Sequence, residues 1–320
     1  MATPIDSTRH ETAEPVVPSQ EAVIEDPMGH EGEHAKMPYG VFFLATGAQL
    51  ALAFVVFYFV APDMLRSELA NPWMIVLCTF LLGIPLSLFE YLYHRYLLHS
   101  AVLPFIGSMM RAHVTHHGLT NVKASVKAKE PEALAAVRSE YAIEEKHQEE
   151  SMMFPLYSIS IFYGVFLILL GLPFKLLFPS APILVSTIAC ATICYSAYEI
   201  WHAILHLPFH KVWMPLMQRP ATAKLTRYIY GFHLMHHWRP TANLAVVGFW
   251  GVALWDHLFR THKRPDRMPL DKHFVNYYDG SLPKPRWPIT VLDKWQGGMM
   301  RWSRKTEAFF ARIFLRRHRA

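Results

Sequence analysis

Hydrophobic residues in this chain are concentrated in four long stretches that polar and charged segments separate. The uncharged stretches run from Tyr39 to Ala61, Pro72 to Phe89, Met152 to Phe174 and Leu176 to Tyr198. Each is close to the roughly 20 residues that a helix needs to cross a bilayer core. The pattern predicts an all-α integral membrane protein with four transmembrane helices, at about 39–61, 72–98, 152–174 and 180–206, paired as two hairpins.

The segments that flank the predicted spans differ in charge. Residues 1–37 hold eight acidic residues against Arg9 and Lys36 and lack an apolar run, which is typical of a disordered acidic tail. Residues 38–262 form the predicted membrane domain. Residues 263–320 are basic, and from Met299 onward arginines alternate with aromatic residues. This last pattern predicts an amphipathic helix that lies on an anionic lipid surface.

The distribution of basic residues predicts which ends of the spans face the cytoplasm. Of the 31 lysines and arginines, only Arg66 and Lys175 lie in the short connections within the two hairpins. Because short cytoplasmic loops are enriched in Lys and Arg, we expect both termini and the segment from Arg95 to Ser151 on the cytoplasmic side. This topology accounts for the net charge of +6 without nucleic-acid binding.

Ten of the 19 histidines fall into four clusters spaced HX4H, HX2HH, HX3H and HX2HH. One metal ion cannot use so many imidazoles, so two neighbouring ions are predicted. The first and third clusters end the second and fourth spans on the predicted cytoplasmic side, and a helical cap there would hold the rest. The predicted ligands of this one di-metal site are His94, His99, His113, His116, His117, His202, His206, His233, His236 and His237.

Helical geometry favours three of the four clusters. His202 and His206 are four residues apart and share a helix face, and the first, fourth and fifth positions of each HX2HH cluster on one side. His94 and His99 are five apart, which spreads them by more than a third of a turn. We therefore expect the second span to unwind at its end, or these two rings to approach the site from different directions.

Two carboxylates inside predicted spans need partners, because an unpaired charge is costly within a membrane. Glu90 precedes His94 by four residues, and Glu199 precedes His202 by three. Each is predicted to accept a hydrogen bond from a ligand ring and fix its tautomer. The alternative is an ordinary interfacial carboxylate that reaches water. Asp256 is expected to play a similar part, with the adjacent His257 as an optional ligand.

The apolar segment from Ala242 to Leu254 is too short to span a bilayer. It is predicted to be a buried or re-entrant segment that caps the site. The three cysteines, Cys78, Cys190 and Cys194, lie inside predicted spans. They are expected to be packing residues rather than disulfide partners or ligands of an iron–sulfur cluster.

The histidine boxes and the two hairpins resemble the membrane-bound fatty acid hydroxylase/sterol desaturase superfamily. The similarity covers roughly His94 to His262 and includes NLAVVGFWGVALWDHLFRT, from Asn243 to Thr261, which is similar to the family's ending. Arg260 stands where that ending commonly has glycine. The additional HX3H at His202 is closer to the pattern of fatty acid 2-hydroxylases than to that of acyl-CoA desaturases.

The resemblance implies two non-haem irons that activate O2 and insert one oxygen atom into a C–H bond of a membrane lipid. The substrate would be a fatty-acyl chain or a lipid head group such as that of an ornithine lipid. The sequence shows no GxGxxG fingerprint, cysteine cluster or CxxCH motif. Electrons are therefore expected from an external donor, a cytochrome b5-like protein or a ferredoxin. A bacterial inner membrane is the expected location.

Two other functions fit the same residues. A lipid desaturase would use the same centre, because removal of one hydrogen atom is common to both reactions. A metal transporter or non-redox metal-binding membrane protein belongs to another class, but transporters usually place their ligands near the bilayer midplane in broken helices. Soluble di-iron proteins use Glu-x-x-His on each of two helices, and only Glu199 and His202 match that spacing.

Overall fold

The structure is a computed structural model, and it describes residues 39–119, 121–124, 135–138, 151, 153–207, 209–263, 282 and 284–317. The predicted acidic tail, 1–37, lies outside the described residues. So does the part of the basic C-terminal segment between residues 264 and 281, and residues 318–320.

Among the described residues, four helices are long and apolar enough to cross a membrane, which agrees with the predicted number of spans. Span 1 is Tyr39–Val60, span 2 is Pro72–Leu98, span 3 is Ser158–Leu177 and span 4 is Ile183–Leu205. Span 3 begins six residues later than predicted because the chain turns at Pro155, whose carbonyl accepts a hydrogen bond from the Ser158 N–H at 2.8 Å. The four helices indicate a membrane protein.

The remaining described elements are short, apart from one long C-terminal helix. Two spans contain π-helical turns, at His94–Leu98 in span 2 and Leu167–Gly171 in span 3, and a third such turn covers Phe209–Trp213. The other helices are Pro62–Leu69, Gly107–Leu119, Met214–Gln218, Ala223–Trp238, Leu254–Leu258 and the C-terminal helix Ile289–Arg317. The described part of the chain is helical as predicted, with the addition of two short antiparallel strands, Asn121–Ala124 and Ala135–Arg138.

Spans 2 and 4 pack against each other at the centre of the membrane part. Their contact buries Leu82, Leu86, Ile188 and Ala191 in one apolar cluster, which Phe42 of span 1 completes from the side. Span 1 leaves most of its large apolar side chains exposed, and in a bilayer this surface would contact lipid. The arrangement brings Leu98 and Leu205 to the same end of the helices, which we call the histidine end.

At the opposite end, a buried ion pair joins the two hairpins. Glu68 lies 2.8 Å from Lys175 and also accepts a hydrogen bond from the Val185 N–H at 2.7 Å. Its side chain is only 1% exposed. The opposite charge and the backbone donor together compensate the cost of removing this carboxylate from water.

The segment Ala242–Leu254, which the sequence predicts to be a buried or re-entrant cap, folds back along span 2. Trp250 donates a hydrogen bond from its indole N–H to the Phe80 carbonyl at 3.0 Å, which lies in the membrane-crossing part of the helix. The tip turns through Gly248 and Gly251, both with positive φ. A Cβ on Gly248 would clash with the Val252 carbonyl, so this tight turn requires glycine.

Gly83→Ala is expected to destabilise the protein because it pushes this cap away from span 2. The added Cβ would lie 2.5 Å from Nε1 of Trp250, and overpacking of this kind costs about 1–3 kcal/mol. Gly164→Ala in span 3 is the matched control, because nothing lies within 4 Å of its added Cβ. Thermal unfolding in detergent measures both; equal stabilities of the two variants would contradict the close packing of Trp250 on Gly83.

Candidate metal centre

The ten predicted histidines come together at the histidine end and divide into two groups of five. Within each group, the candidate ligand nitrogens all lie within 4.8 Å of one another. The first set is His94, His99, His113, His117 and His236. The second set is His116, His202, His206, His233 and His237. All ten side chains are buried or nearly so, so the sequence prediction of one compact cluster agrees with the geometry.

The two HX2HH clusters each divide between the two sets. The helix Gly107–Leu119 gives its first and last histidines to the first set and its middle histidine, His116, to the second. The helix Ala223–Trp238 does the reverse, so that His236 joins the first set while its neighbours join the second. In each HX2HH cluster the first and last histidines are four residues apart and share a helix face. The middle histidine, one residue before the last, points about 100° away from it. Each helix therefore contributes candidate ligands to both sets.

A π-helical turn brings the two histidines of the first cluster together despite their five-residue spacing. The chain over His94–Leu98 is π-helical, and the His99 N–H donates to the His94 carbonyl at 3.3 Å. An i to i+5 hydrogen bond places residues five apart one above the other. The two rings are accordingly stacked, with centroids 5.2 Å apart and planes at 13°. The expectation of an unwound helix or of divergent rings is wrong, because the extra residue is absorbed within the helix.

The remaining pair, His202 and His206, has the ordinary helical spacing. Their Nε2 atoms lie 3.3 Å apart, and His206 Nε2 lies 2.8 Å from His233 Nε2 on the second HX2HH helix. His206 is the last residue of this turn, since the helix ends there. Span 4 thus presents both rings at its end, as predicted.

The spacing between ring nitrogens fits shared ions. Ring nitrogens bound to one ion at about 2.1 Å lie about 3.0 Å apart when their bonds are perpendicular and about 3.4 Å apart at the tetrahedral angle. In the first set, His113 Nε2 lies 3.1 Å from His94, 3.2 Å from His99 and 3.1 Å from His117, measured to Nε2 in each case. One ring N–H can donate to only one of three such nitrogens. The set is therefore better suited to an ion than to internal hydrogen bonding.

The protonation of these rings also suits metal binding, which needs neutral imidazole. Burial and the neighbouring His236 lower the pKa of His99 to about 2. Burial lowers the pKa of His236 to about 4, although its hydrogen bond to the Ala242 carbonyl opposes the shift. Burial and nearby histidines likewise hold the pKa of His113 and His117 well below the usual value. The rings are neutral at physiological pH.

Two backbone carbonyls orient ligands of the first set. Nδ1 of His94 lies 2.5 Å from the Leu244 carbonyl, and Nδ1 of His236 lies 2.9 Å from the Ala242 carbonyl. A carbonyl only accepts, so both rings carry their proton on Nδ1 and leave Nε2 free to bind an ion. We call residues 242–248, which carry both carbonyls, the site loop.

Two buried carboxylates hold the site loop by five consecutive backbone N–H groups. Asp256 accepts from Leu244 and Ala245, each at 3.0 Å, and from the Thr261 hydroxyl at 2.7 Å. Glu90 accepts from three further N–H groups, those of Val246 at 2.6 Å, Val247 at 2.9 Å and Gly248 at 2.9 Å. The sequence prediction that Glu90 accepts a hydrogen bond from the His94 ring is wrong. That ring donates to the Leu244 carbonyl, and the Glu90 carboxylate accepts from backbone N–H groups of the site loop instead.

The other predicted carboxylate and the optional ligand have separate roles. Glu199 is buried and accepts a hydrogen bond from the Phe154 N–H at 3.1 Å, which ties the segment before span 3 to span 4. The prediction that it accepts from the His202 ring is therefore wrong in its partner, as it is for Glu90. His257 is exposed and belongs to neither ligand set, and its ring stacks on His262 with centroids 4.0 Å apart. Burial raises the pKa of Asp256, and its three hydrogen-bond donors oppose that rise.

Several residues around the site were not singled out from the sequence. Asn243 is buried with φ of 52°, and its side-chain amide donates to the Phe232 carbonyl at 2.8 Å and the Lys263 carbonyl at 2.6 Å. Asparagine tolerates this left-handed conformation better than most residues. Arg95 is buried beside His94 and pairs with Asp293. An arginine at the end of a span is the signal that could have indicated a buried partner.

An apolar cavity between spans 2, 3 and 4 reaches the first ligand set. Its lining residues on span 2 run from Leu86 to Leu98, about 18 Å of helix, and they include His94. Seven of the lining residues are aromatic: Phe89, Tyr93, Phe154, Phe162, Phe166, Tyr195 and Tyr198. The cavity therefore joins the interior of the membrane part to a candidate metal ligand.

Comparison of the chain with protein-family models, with curated proteins and with solved structures finds no match.

Proposed function

We propose that this protein is an O2-dependent di-iron hydroxylase that inserts one oxygen atom into a C–H bond of a membrane lipid. The observation that carries the proposal is the apolar cavity whose lining includes His94, one of the five histidines of the first set. An alkyl chain in this cavity would reach the candidate metal centre while staying in apolar surroundings. The substrate would be a fatty-acyl chain or a lipid head group such as that of an ornithine lipid.

Iron is the metal that we propose for both sets. Five imidazoles for each ion exceed the four ligands that zinc takes in structural sites, and imidazole suits iron. Once bound, a pair of non-haem irons would supply the activation of O2 and the transfer of an oxygen atom. The five histidines of each set would hold the ions, and the Leu244 and Ala242 carbonyls would keep His94 and His236 in the tautomer that binds.

The protein itself would position the substrate and exclude water. An alkyl chain in the cavity would lie along span 2 between aromatic side chains, with one region of it near His94. Hydroxylation consumes the C–H substrate, O2, two electrons and two protons, and yields the alcohol and water. We propose that an external donor, a cytochrome b5-like protein or a ferredoxin, delivers the electrons at the histidine end, on the cytoplasmic side of a bacterial inner membrane.

Lipid mass spectrometry with labelled oxygen tests this proposal. Cells that express the protein are grown under ¹⁸O2, and their lipids are compared with those of cells that express His113→Ala. We expect a lipid that gains one ¹⁸O atom only with the intact chain, because His113 Nε2 lies within 3.2 Å of three other ligand nitrogens.

Other products would support the alternative functions. A lipid that loses two hydrogens without gaining oxygen would show a desaturase, which uses the same centre. Metal accumulation by the cells without any change in lipids or O2 consumption would show a metal-binding protein or transporter. The location of both sets at the end of the spans, rather than midway along them, favours the enzyme.

A further inference from the structure

The C-terminal helix Ile289–Arg317 divides into three lengthwise faces. One face packs on the protein and includes Ile289, Asp293, Gln296 and Ser303. With 3.6 residues per turn, two exposed faces remain. One is apolar and aromatic, with Trp295, Met299, Trp302, Phe309 and Ile313, and the other is basic, with Lys294, Arg301, Arg304, Lys305 and Arg312.

The charges on this helix are segregated. Between residues 289 and 317 the sequence has two acidic residues, Asp293 and Glu307. Both turn towards the protein: Asp293 pairs with Arg95, and Glu307 accepts a hydrogen bond from the Phe105 N–H at 2.7 Å. The exposed faces therefore combine aromatic side chains with positive charge alone. This combination complements a surface that is apolar within and anionic at its boundary, such as an anionic bilayer.

The position of the helix agrees with this partner. Gln296 donates a hydrogen bond to the Ser100 hydroxyl, two residues beyond the end of span 2 at Leu98. The helix starts beside Tyr91 of span 2, and by Gln296 it has reached the level where this span ends. The exposed Trp287 and Trp295 flank this point, and tryptophan is enriched at the membrane–water boundary.

The same helix is tied to the first ligand set. The Arg95 guanidinium donates to both carboxylate oxygens of Asp293, at 3.0 and 2.7 Å, and to the Thr241 carbonyl at 2.8 Å. Arg95 lies within the π-helical turn between His94 and His99, and Thr241 precedes the carbonyl that orients His236. A shift of Asp293 would therefore disturb three ligands of one set.

We propose that the exposed faces of the C-terminal helix bind the anionic surface of the bilayer that the spans cross, and that Asp293 transmits this docking to the first ligand set. Asp293 acts as a positioning residue: it holds Arg95, and Arg95 holds the turn and the site loop. Anionic lipid would then strengthen retention of the ion in the first set. The inference depends on metal binding by that set and not on the reaction proposed above.

Hydrogen–deuterium exchange in nanodiscs tests the docking. The full chain is placed in discs of phosphatidylcholine alone or with phosphatidylglycerol added. Amides of residues 299–313 should exchange at least about fivefold more slowly in the anionic discs, and high salt should reduce the difference. Arg301→Gln/Arg304→Gln/Lys305→Gln should abolish it. Arg219→Gln/Lys224→Gln/Arg260→Gln, which removes the same charge elsewhere, should not. Equal exchange of the unaltered chain in both discs would overturn the proposal.

Metal retention tests the coupling. After dialysis against a chelator, iron-loaded protein in anionic discs should keep about threefold more of the metal bound by the first set than in neutral discs. His236→Ala, which lacks a ligand of that set, identifies this share of the metal. Asp293→Asn should remove this dependence on lipid while the helix amides remain protected, and Asp293→Glu should preserve it. Retention of the unaltered chain that is the same in both discs would overturn the coupling. The coupling would also be overturned if Asp293→Asn kept the lipid dependence of metal retention. The same holds if Asp293→Asn lost the protection of the amides of residues 299–313.

Discussion

His236→Ala is expected to remove one of the two ions and to leave the other bound. Its Nε2 lies 3.2 Å from His99 Nε2 in the first set, whereas His233 and His237 on the same helix belong to the second. Loss of one imidazole among five should weaken that ion by at least about 100-fold, since loss of an outer-shell partner alone costs 10–100-fold. Elemental analysis of the purified, dialysed protein should show the metal content halved and lipid oxidation abolished.

Double variants test the crossed arrangement itself. His99→Ala/His236→Ala should lose no more metal than His236→Ala alone, because both residues belong to the first set. His236→Ala/His237→Ala should lose both ions, although these two residues are adjacent in sequence. His257→Ala is the matched control, since this exposed histidine lies outside both sets. If His236→Ala/His237→Ala still bound one ion, the division into the two sets would be contradicted.

Spacing in the sequence was sufficient to predict that ten histidines lie together, but not how they divide into two sets. The pattern HX2HH shows that three imidazoles lie near one another on a helix. It does not show that His116 and His236 point to the opposite set, because this depends on where the two helices stand relative to each other. That placement results from packing of spans 2 and 4, which is a contact between residues distant in sequence.

The five-residue interval between His94 and His99 shows how local geometry can escape prediction. Measured on an α-helix, the interval predicts rings that diverge, and only a π-helical turn makes it favourable. Such turns are rare and carry little sequence signal of their own. The interval becomes informative when the partners are known, since both rings must meet His113 Nε2 within 3.2 Å.

The outer partners of the ligands were the least accessible to sequence reasoning. The cost of an unpaired charge in a span drew attention to Glu90 and Glu199, with Asp256 expected to play a similar part. All three carboxylates accept hydrogen bonds from backbone N–H groups instead of the predicted ring N–H. The choice between a ring N–H and a backbone N–H cannot be read from spacing, because every residue except proline carries the backbone donor. The rings contact the Ala242 and Leu244 carbonyls. Because these are backbone groups, the identities of the side chains do not reveal them.

Glu90→Gln and Asp256→Asn are expected to weaken the first ion without altering any ligand. An amide can replace one carboxylate oxygen as acceptor, but its NH2 group then faces a backbone donor: the Gly248 N–H for Glu90→Gln and the Ala245 N–H for Asp256→Asn. A buried donor left without an acceptor costs about 1–3 kcal/mol. The site loop would shift to relieve this, and it carries the carbonyls that orient His94 and His236.

The expected loss of affinity is about 10–100-fold for the first ion, with little change at the second. Chelator competition followed by elemental analysis measures both ions, and thermal unfolding of the metal-free protein measures the loss of stability separately. Glu199→Gln is the matched control, because this buried carboxylate accepts from the Phe154 N–H, which the amide oxygen can still serve, and makes no hydrogen bond to the site loop among the described residues. Equal affinities in Glu90→Gln and Glu199→Gln would show that the carboxylates stabilise the fold but do not reach the metal centre through the loop.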